Sequence, residues 1–318
     1  MPLDPFLEPL VAQMPPFPER IDDFAAFRAQ ELATLDSYAD QLVEWPEFSG
    51  TKRTETIPVD GGEITLNVFH PGTEGTLPVH IYIHGGGWIG GSIHTRVIDV
   101  VCQERAAGAD CVVVAVEYRK APEHQFPTGL EDVHAALLWI VEHADDLGVS
   151  IDALTIGGGS AGANLAAALT LKVRDEGGPA IAFQVLEVPA LDMTLQSPSI
   201  KRNGSGYGLD RHTIETLLPL YLPRSSDATN PLASPLLADD LTALPEAYIV
   251  VSEYDPLADD GERYADRLRQ AGVPVTFVVG HGHIHGSSAY TKVMASARQW
   301  RDDVVAALRD ANARALHH

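Results

Sequence analysis

Short β-branched runs alternating with helical stretches predict an α/β fold, with a mostly parallel central sheet covered by helices on both faces. Apolar runs of strand length occur at 63–69, 79–83, 111–116, 154–156, 183–188, 247–251 and 273–279. Helical patterns lie between most of them, at 127–143, 161–174, 259–270 and 287–313. The 318 residues are enough for one large α/β domain that also carries a lid.

Taken in order, residues 1–50 are punctuated by proline and contain an amphipathic stretch at 22–35 rich in Phe, Ala and Leu, which predicts an N-terminal helical cap. Segments 51–194 and 226–318 hold the alternating pattern and form the expected core. Between them, 195–225 breaks the rhythm with Gly204, Gly206 and Gly208 and then another helix, as a cap insertion would. The sequence has no internal repeat and no low-complexity tract.

Lys and Arg number 22 against 44 Asp and Glu, a net charge of −22. Such a chain repels nucleic acid and anionic membrane surfaces, so neither is an expected partner. A strongly anionic substrate is disfavoured too, unless a local arginine reverses the field. Cys102 and Cys111 are too few for a disulfide framework or a cysteine metal site, and both are expected reduced and buried. The stretch M-P-L-D-P-F-L-E-P-L has no basic region before an apolar one, and no run approaches the ~18 to 20 apolar residues that span a bilayer. The expectation is a cytoplasmic protein. The helical pattern at 287–313 could support a homodimer.

Residues 156–164 read I-G-G-G-S-A-G-A-N, placing Ser160 within G-x-S-x-G between an apolar strand and an Ala/Leu-rich helix. A serine on a sharp strand-to-helix turn takes strained backbone angles, and small neighbours let chain and substrate approach it. The same string is also compatible with a tight turn that happens to contain serine. A serine hydroxyl is a weak nucleophile, so it needs a general base, and the base needs a carboxylate to set its tautomer. The chain order expected around such an elbow is Ser, acid, His. Asp255 stands in S-E-Y-D-P-L directly after one apolar run, and His285 in G-H-I-H-G directly after the next. Loops at strand ends of this kind face the ligand crevice. Asp255-Pro256 would also serve as a plain helix start, and Glu253 is a rival acid. His281, His283 and His285 alternate, so an extended segment would put them on one face where a metal could bind. No H-E-x-x-H or paired-cysteine motif completes such a site, and no metal is expected.

Upstream, His84-Gly85-Gly86-Gly87-Trp88 follows the run at 79–83. Acyl transfer develops an oxyanion that preorganised backbone N–H groups stabilise, and losing one donor costs about 100 to 1,000-fold in turnover. Gly85 and Gly86 are the expected donors on one side and Ala161, next after the nucleophile, on the other. Trp88 and Ile284 are candidates for lining the substrate pocket.

The strings H-G-G-G-W at 84–88, E-Y-R-K-A-P-E-H-Q-F-P at 117–127, G-G-S-A-G-A-N-L-A at 158–166, S-E-Y-D-P-L at 252–257 and G-H-I-H-G-S at 282–287 resemble the hormone-sensitive-lipase-like branch of α/β hydrolases, the bacterial family IV esterases. Together they cover the chain from about residue 78 to its end. This resemblance implies the α/β-hydrolase fold, a triad of Ser160, Asp255 and His285, an oxyanion hole of Gly85, Gly86 and Ala161, and a lid from the N-terminal helices and the insertion. It also implies structural support of the site by His84 and the string Tyr118-Arg119 to Pro127. More narrowly, K-V-R-D-E-G at 172–177 and A-F-Q-V-L-E-V-P-A-L-D at 182–192 are similar to heroin-esterase-like members, which remove acetyl groups from aromatic alcohols. Two departures stand out: Gly159 where the family usually has Asp or Thr, and Ser287 where many members have Phe.

The function expected is hydrolysis of short-chain or aryl carboxylic esters, acetyl to about hexanoyl, through a serine acyl-enzyme that needs no cofactor. Its partner is a small-molecule ester. An amidase, arylformamidase or lactonase could run on the same triad, because pocket geometry decides the bond. A non-catalytic ligand receptor on this scaffold, as in the plant gibberellin receptors, is disfavoured because His285 is retained.

Overall fold

The computed structural model describes residues 1–317; His318, the last residue of the predicted core segment 226–318, lies outside them. Two helices precede the sheet, α1 (Leu7–Val11) and α2 (Phe24–Leu42). Asp23 caps α2 by accepting from the Ala26 N–H at 3.0 Å. The helix runs seven residues past the predicted 22–35, its later turns bonded to the start of the helix that opens at Arg96: the Asp36 carboxylate accepts from Arg96 N at 2.8 Å.

Strands β1 (Thr51–Val59) and β2 (Gly62–His70) form a hairpin whose turn uses Gly61 at φ +74°. β1 escaped the sequence reading because its T-K-R-T-E-T is an exposed edge with no apolar run. Then follow β3 (Leu77–Ile83), α3 (Arg96–Ala109), β4 (Val112–Glu117), α4 (Thr128–Glu142), α5 (Ala144–Leu147), β5 (Val149–Gly159), α6 (Ala161–Glu176) and β6 (Phe183–Glu187). The insertion carries α7 (Pro198–Arg202) and α8 (Arg211–Tyr221); β7 (Glu246–Tyr254), α9 (Ala258–Gln270), β8 (Val275–Ile284) and α10 (Ala295–Leu316) complete the chain. No strong apolar stripe marks α3, whose inner face includes buried Arg105, and it too was absent from the sequence reading.

Among the described residues the sheet order is β1-β2-β4-β3-β5-β6-β7-β8, with β2 antiparallel to both its neighbours and the rest parallel. This is the α/β-hydrolase architecture. Alternation divides the core: Val112, Val114 and Val116 pack with α4 and α6 on one face, while Val113 and Ala115 meet Cys102, Ala106 and Leu308 of α3 and α10 on the other. All of β3 is buried, as a central strand covered on both faces must be.

The predicted helix 287–313 is corrected. Only a single turn forms at Ser287–Ala289, and the helix begins at Ala295. The intervening segment is tied to the chain after α2, because the Thr291 hydroxyl accepts from Glu44 N and Lys292 N donates to the Leu42 carbonyl, both at 2.9 Å. The apolar face of α10 packs internally, through Trp300, Val304 and Leu308. Among the described residues no helix is long and apolar enough to cross a membrane.

Candidate active site

Ser160 occupies the one-residue junction between β5 and α6, at φ 56° and ψ −119°. Its N–H donates to the Glu187 carbonyl at 2.9 Å, fixing the turn against the end of β6. Side chains at Gly158 or Gly162 would collide with the Ile83 carbonyl oxygen, so these two glycines are steric requirements. Gly159 is not: a Cβ there would meet nothing within 4 Å, and the missing Asp or Thr leaves open space, not a strained elbow.

The Ser160 hydroxyl lies 2.9 Å from His285 Nε2, and His285 Nδ1 lies 2.7 Å from Asp255 Oδ2. With Nδ1–H donating to the Asp255 carboxylate, Nε2 is free to accept from the Ser160 hydroxyl. Asp255 is fully buried, and its Oδ1 also accepts from Leu257 N at 2.8 Å. Glu253, the rival acid, points elsewhere, to the Met1 amine and the exposed His281. The three alternating histidines take three partners: His281 meets Glu253, His283 meets the Ser287 hydroxyl at 2.8 Å, and His285 meets Asp255. Ser287 donates to the Ile284 carbonyl at 2.8 Å and accepts from Ile284 N at 3.2 Å, so the residue standing in place of Phe braces the His285 loop from within.

Gly85 passes beside the elbow, where a Cβ would lie 3.4 Å from the Ser160 Cβ. Gly86 has φ +119°, and a side chain there would collide with the backbone at Gly90. The N–H groups of Gly85, Gly86 and Ala161 donate to no acceptor among the described residues, as donors kept for a ligand must. His84 props this loop from below. Its Nδ1 donates to the Gly85 carbonyl at 2.7 Å and its ring stacks on Tyr118 at 4.4 Å. Burial, reinforced by nearby Lys120, pushes the His84 imidazole down to about 4 and keeps it neutral. Arg119 of the same string chelates the buried Asp132.

Ser160 and His285 open into a cavity of about 410 Å³. Trp88 lines it, held flat on Tyr221 at 4.3 Å with its indole N–H on Asn164 at 3.2 Å. Ile284 does not line it, which corrects the expectation. Ile284 is the last residue of β8 and packs into a satellite core with Leu7, Met294 and Ala297, while His285 stands on the turn beyond the strand. Residues from both predicted cap segments reach the cavity: Val43 follows α2, and Ile214 and Leu217 lie on α8.

Three supporting residues escaped the sequence reading. Asn164 ties Trp88 to the Ala190 and Ala233 carbonyls. Asn203 donates to the Glu253 and Asp255 carbonyls. Glu187 forms a buried ion pair with Arg105. Only the A-N after the elbow hints at Asn164; the other two are long-range partners with no local motif.

A family profile described as the α/β hydrolase fold matches residues 80–289. The chain belongs to the α/β-hydrolase family. Within it, this hydrolase is similar to esterase LipI of Mycobacterium tuberculosis, 38% identical over 81% of this chain and 82% of the relative. It is also similar to an arylesterase of Saccharolobus solfataricus, 34% identical over 90% of this chain and 92% of that one. Among solved structures, the esterase of the archaeon Pyrobaculum calidifontis superposes with a TM-score of 0.90 at 34% identity, covering 98% of this hydrolase and 99% of the other chain. These relatives place it in the hormone-sensitive-lipase-like branch that the motifs resemble.

Proposed function

We propose that this α/β hydrolase cleaves short-chain and aryl carboxylic esters through an acyl-enzyme on Ser160. The class, carboxylic-ester hydrolysis, follows from its family and its esterase relatives. Support for the residue roles comes from one observation above all: an unbroken Asp255–His285–Ser160 hydrogen-bond chain of 2.7 and 2.9 Å that opens into a cavity of small-molecule size.

In the proposed cycle His285 takes the Ser160 proton as the oxygen attacks the ester carbonyl, and Asp255 stabilises the imidazolium. The oxyanion rests on the N–H groups of Gly85, Gly86 and Ala161. His285 then protonates the departing alcohol, and water repeats the sequence to release the acid. Residues 1–50 and 195–225 act as the cap, and Trp88 forms one wall of the substrate site.

The test is initial rates on p-nitrophenyl esters from acetate to palmitate and on aryl acetates, wild type beside Ser160→Ala. Rates peaking from acetate to hexanoate and abolished in the variant support the assignment; turnover that survives Ser160→Ala overturns it. We place the hydrolase in the cytoplasm, consistent with two free buried cysteines. Any homodimer would use surfaces other than the apolar face of α10, which is already packed, and light scattering reads it.

A further inference from the structure

The cavity continues past Ser160 on the sheet face covered by α3 and α10, between Val97, Val101, Val304 and Val305. Glu104, Arg105, Glu187 and Arg301 line the same cavity. Arg105 is occupied: it pairs with Glu187, reaches His80 Nε2 at 3.2 Å and lies over the Tyr82 ring at 4.5 Å. Glu187 is held on both oxygens, by Arg105 and by the Trp300 indole N–H at 2.8 Å.

Glu104 differs. Its side chain is nine-tenths buried, its Oε1 meets Arg301 only at 3.4 Å, and its Oε2 accepts no hydrogen bond from any described residue. Burial outweighs the attraction of Arg301 and Arg105 and pushes this carboxyl up to about 7. Glu104 Oε2 is thus an acceptor on the cavity wall that no side chain engages and that a ligand donor can reach.

Resting on the ester-hydrolase reading, we propose that one limb of the substrate enters this lobe and ends in a hydroxyl group, which donates to Glu104 Oε2. The valines take the short hydrocarbon segment that precedes it. Charge balance selects a neutral donor: a cationic end would face Arg105 and Arg301, and an anionic end Glu104 and Glu187.

The experiment compares kcat/KM for hydroxyl-ended and methyl-ended esters of matched length. The 6-hydroxyhexanoate and hexanoate p-nitrophenyl esters read the acyl limb; diol monoacetates and alkyl acetates read the alcohol limb. In the wild type one limb favours the hydroxyl by roughly tenfold, the worth of one hydrogen bond. Glu104→Leu loses that preference, read as the hydroxyl-to-methyl ratio within the variant itself, and Glu104→Gln, which keeps an acceptor oxygen, retains most of it. Methyl preference on both limbs of the wild type, or a hydroxyl preference that survives Glu104→Leu, overturns the assignment. If p-nitrophenyl acetate is hydrolysed and only the hydroxyl preference is missing, Glu104 alone loses its role; if no ester is hydrolysed, the esterase reading falls with it.

Discussion

Asn203 holds the Asp255 main chain: its side-chain amide donates to the Asp255 and Glu253 carbonyls at 3.0 Å each, from a buried position just after α7. The insertion is thereby tied to the loop that presents the acid to His285. Asn203→Ala would strand two carbonyls at a cost of about 1–3 kcal/mol and loosen that loop. Roughly tenfold lower kcat with KM little changed is the expected result, read by steady-state kinetics beside a melting curve. An unchanged kcat would show that the contact serves stability alone.

The elbow predicts opposite outcomes for glycines three residues apart. Gly162→Ala drives a Cβ into the Ile83 and His84 carbonyls and should lower stability by at least ~1–3 kcal/mol, with most activity lost. Gly159→Ala enters open space and should stay within about twofold of wild type. Purified yield, Tm and kcat of the two variants check this contrast.

Asp255→Asn keeps the shape of the site but cannot hold the Nδ1 proton of His285 in the working tautomer. The loss expected in kcat is about 10⁴-fold, with a near-normal melting temperature. A loss below tenfold would move the acid role to another carboxylate, and Glu253→Gln is the control.

Stability should fall on mild acidification because His84 is buried and neutral. Its folded-state value is pushed from 6.5 down to about 4, so between these pH values the unfolded chain binds more protons than the native one. The stabilisation is complete above about pH 6.5 and lost as pH falls toward 4, by up to roughly 3 kcal/mol. Buried His80, shifted the same way, steepens the slope. In chemical denaturation at pH 7, 6 and 5, His84→Gln should be less stable at neutral pH but show a shallower slope. Parallel slopes would exclude His84 as the titrating group.

Much of the architecture was legible because parallel strands buried on both faces leave continuous apolar runs, as at 79–83 and 111–116. The neighbourhoods of Ser160, Asp255 and His285 were legible because each stands at a strand end beside small or turn-forming residues. What stayed hidden had no local signature. β1 is a polar edge, and α3 buries an arginine whose partner Glu187 lies 82 positions away. Ile284 adjoins His285 in sequence but closes β8 and is taken up by Leu7 and Met294, partners far away in the chain that leave no local mark. The start of α10 was misplaced because Thr291 and Lys292 bond to the chain after α2, a contact no helical periodicity records.

The central claim, a covalent intermediate on Ser160, is tested most directly by intact-protein and peptide mass spectrometry after treatment with a p-nitrophenyl alkylphosphonate. The expected result is one phosphonyl group per chain, mapped to the peptide containing Ser160, with loss of ester turnover and no labelling of Ser160→Ala. A wild-type chain that turns over esters yet takes no label, or a Ser160→Ala chain labelled to the same extent, would contradict the claim.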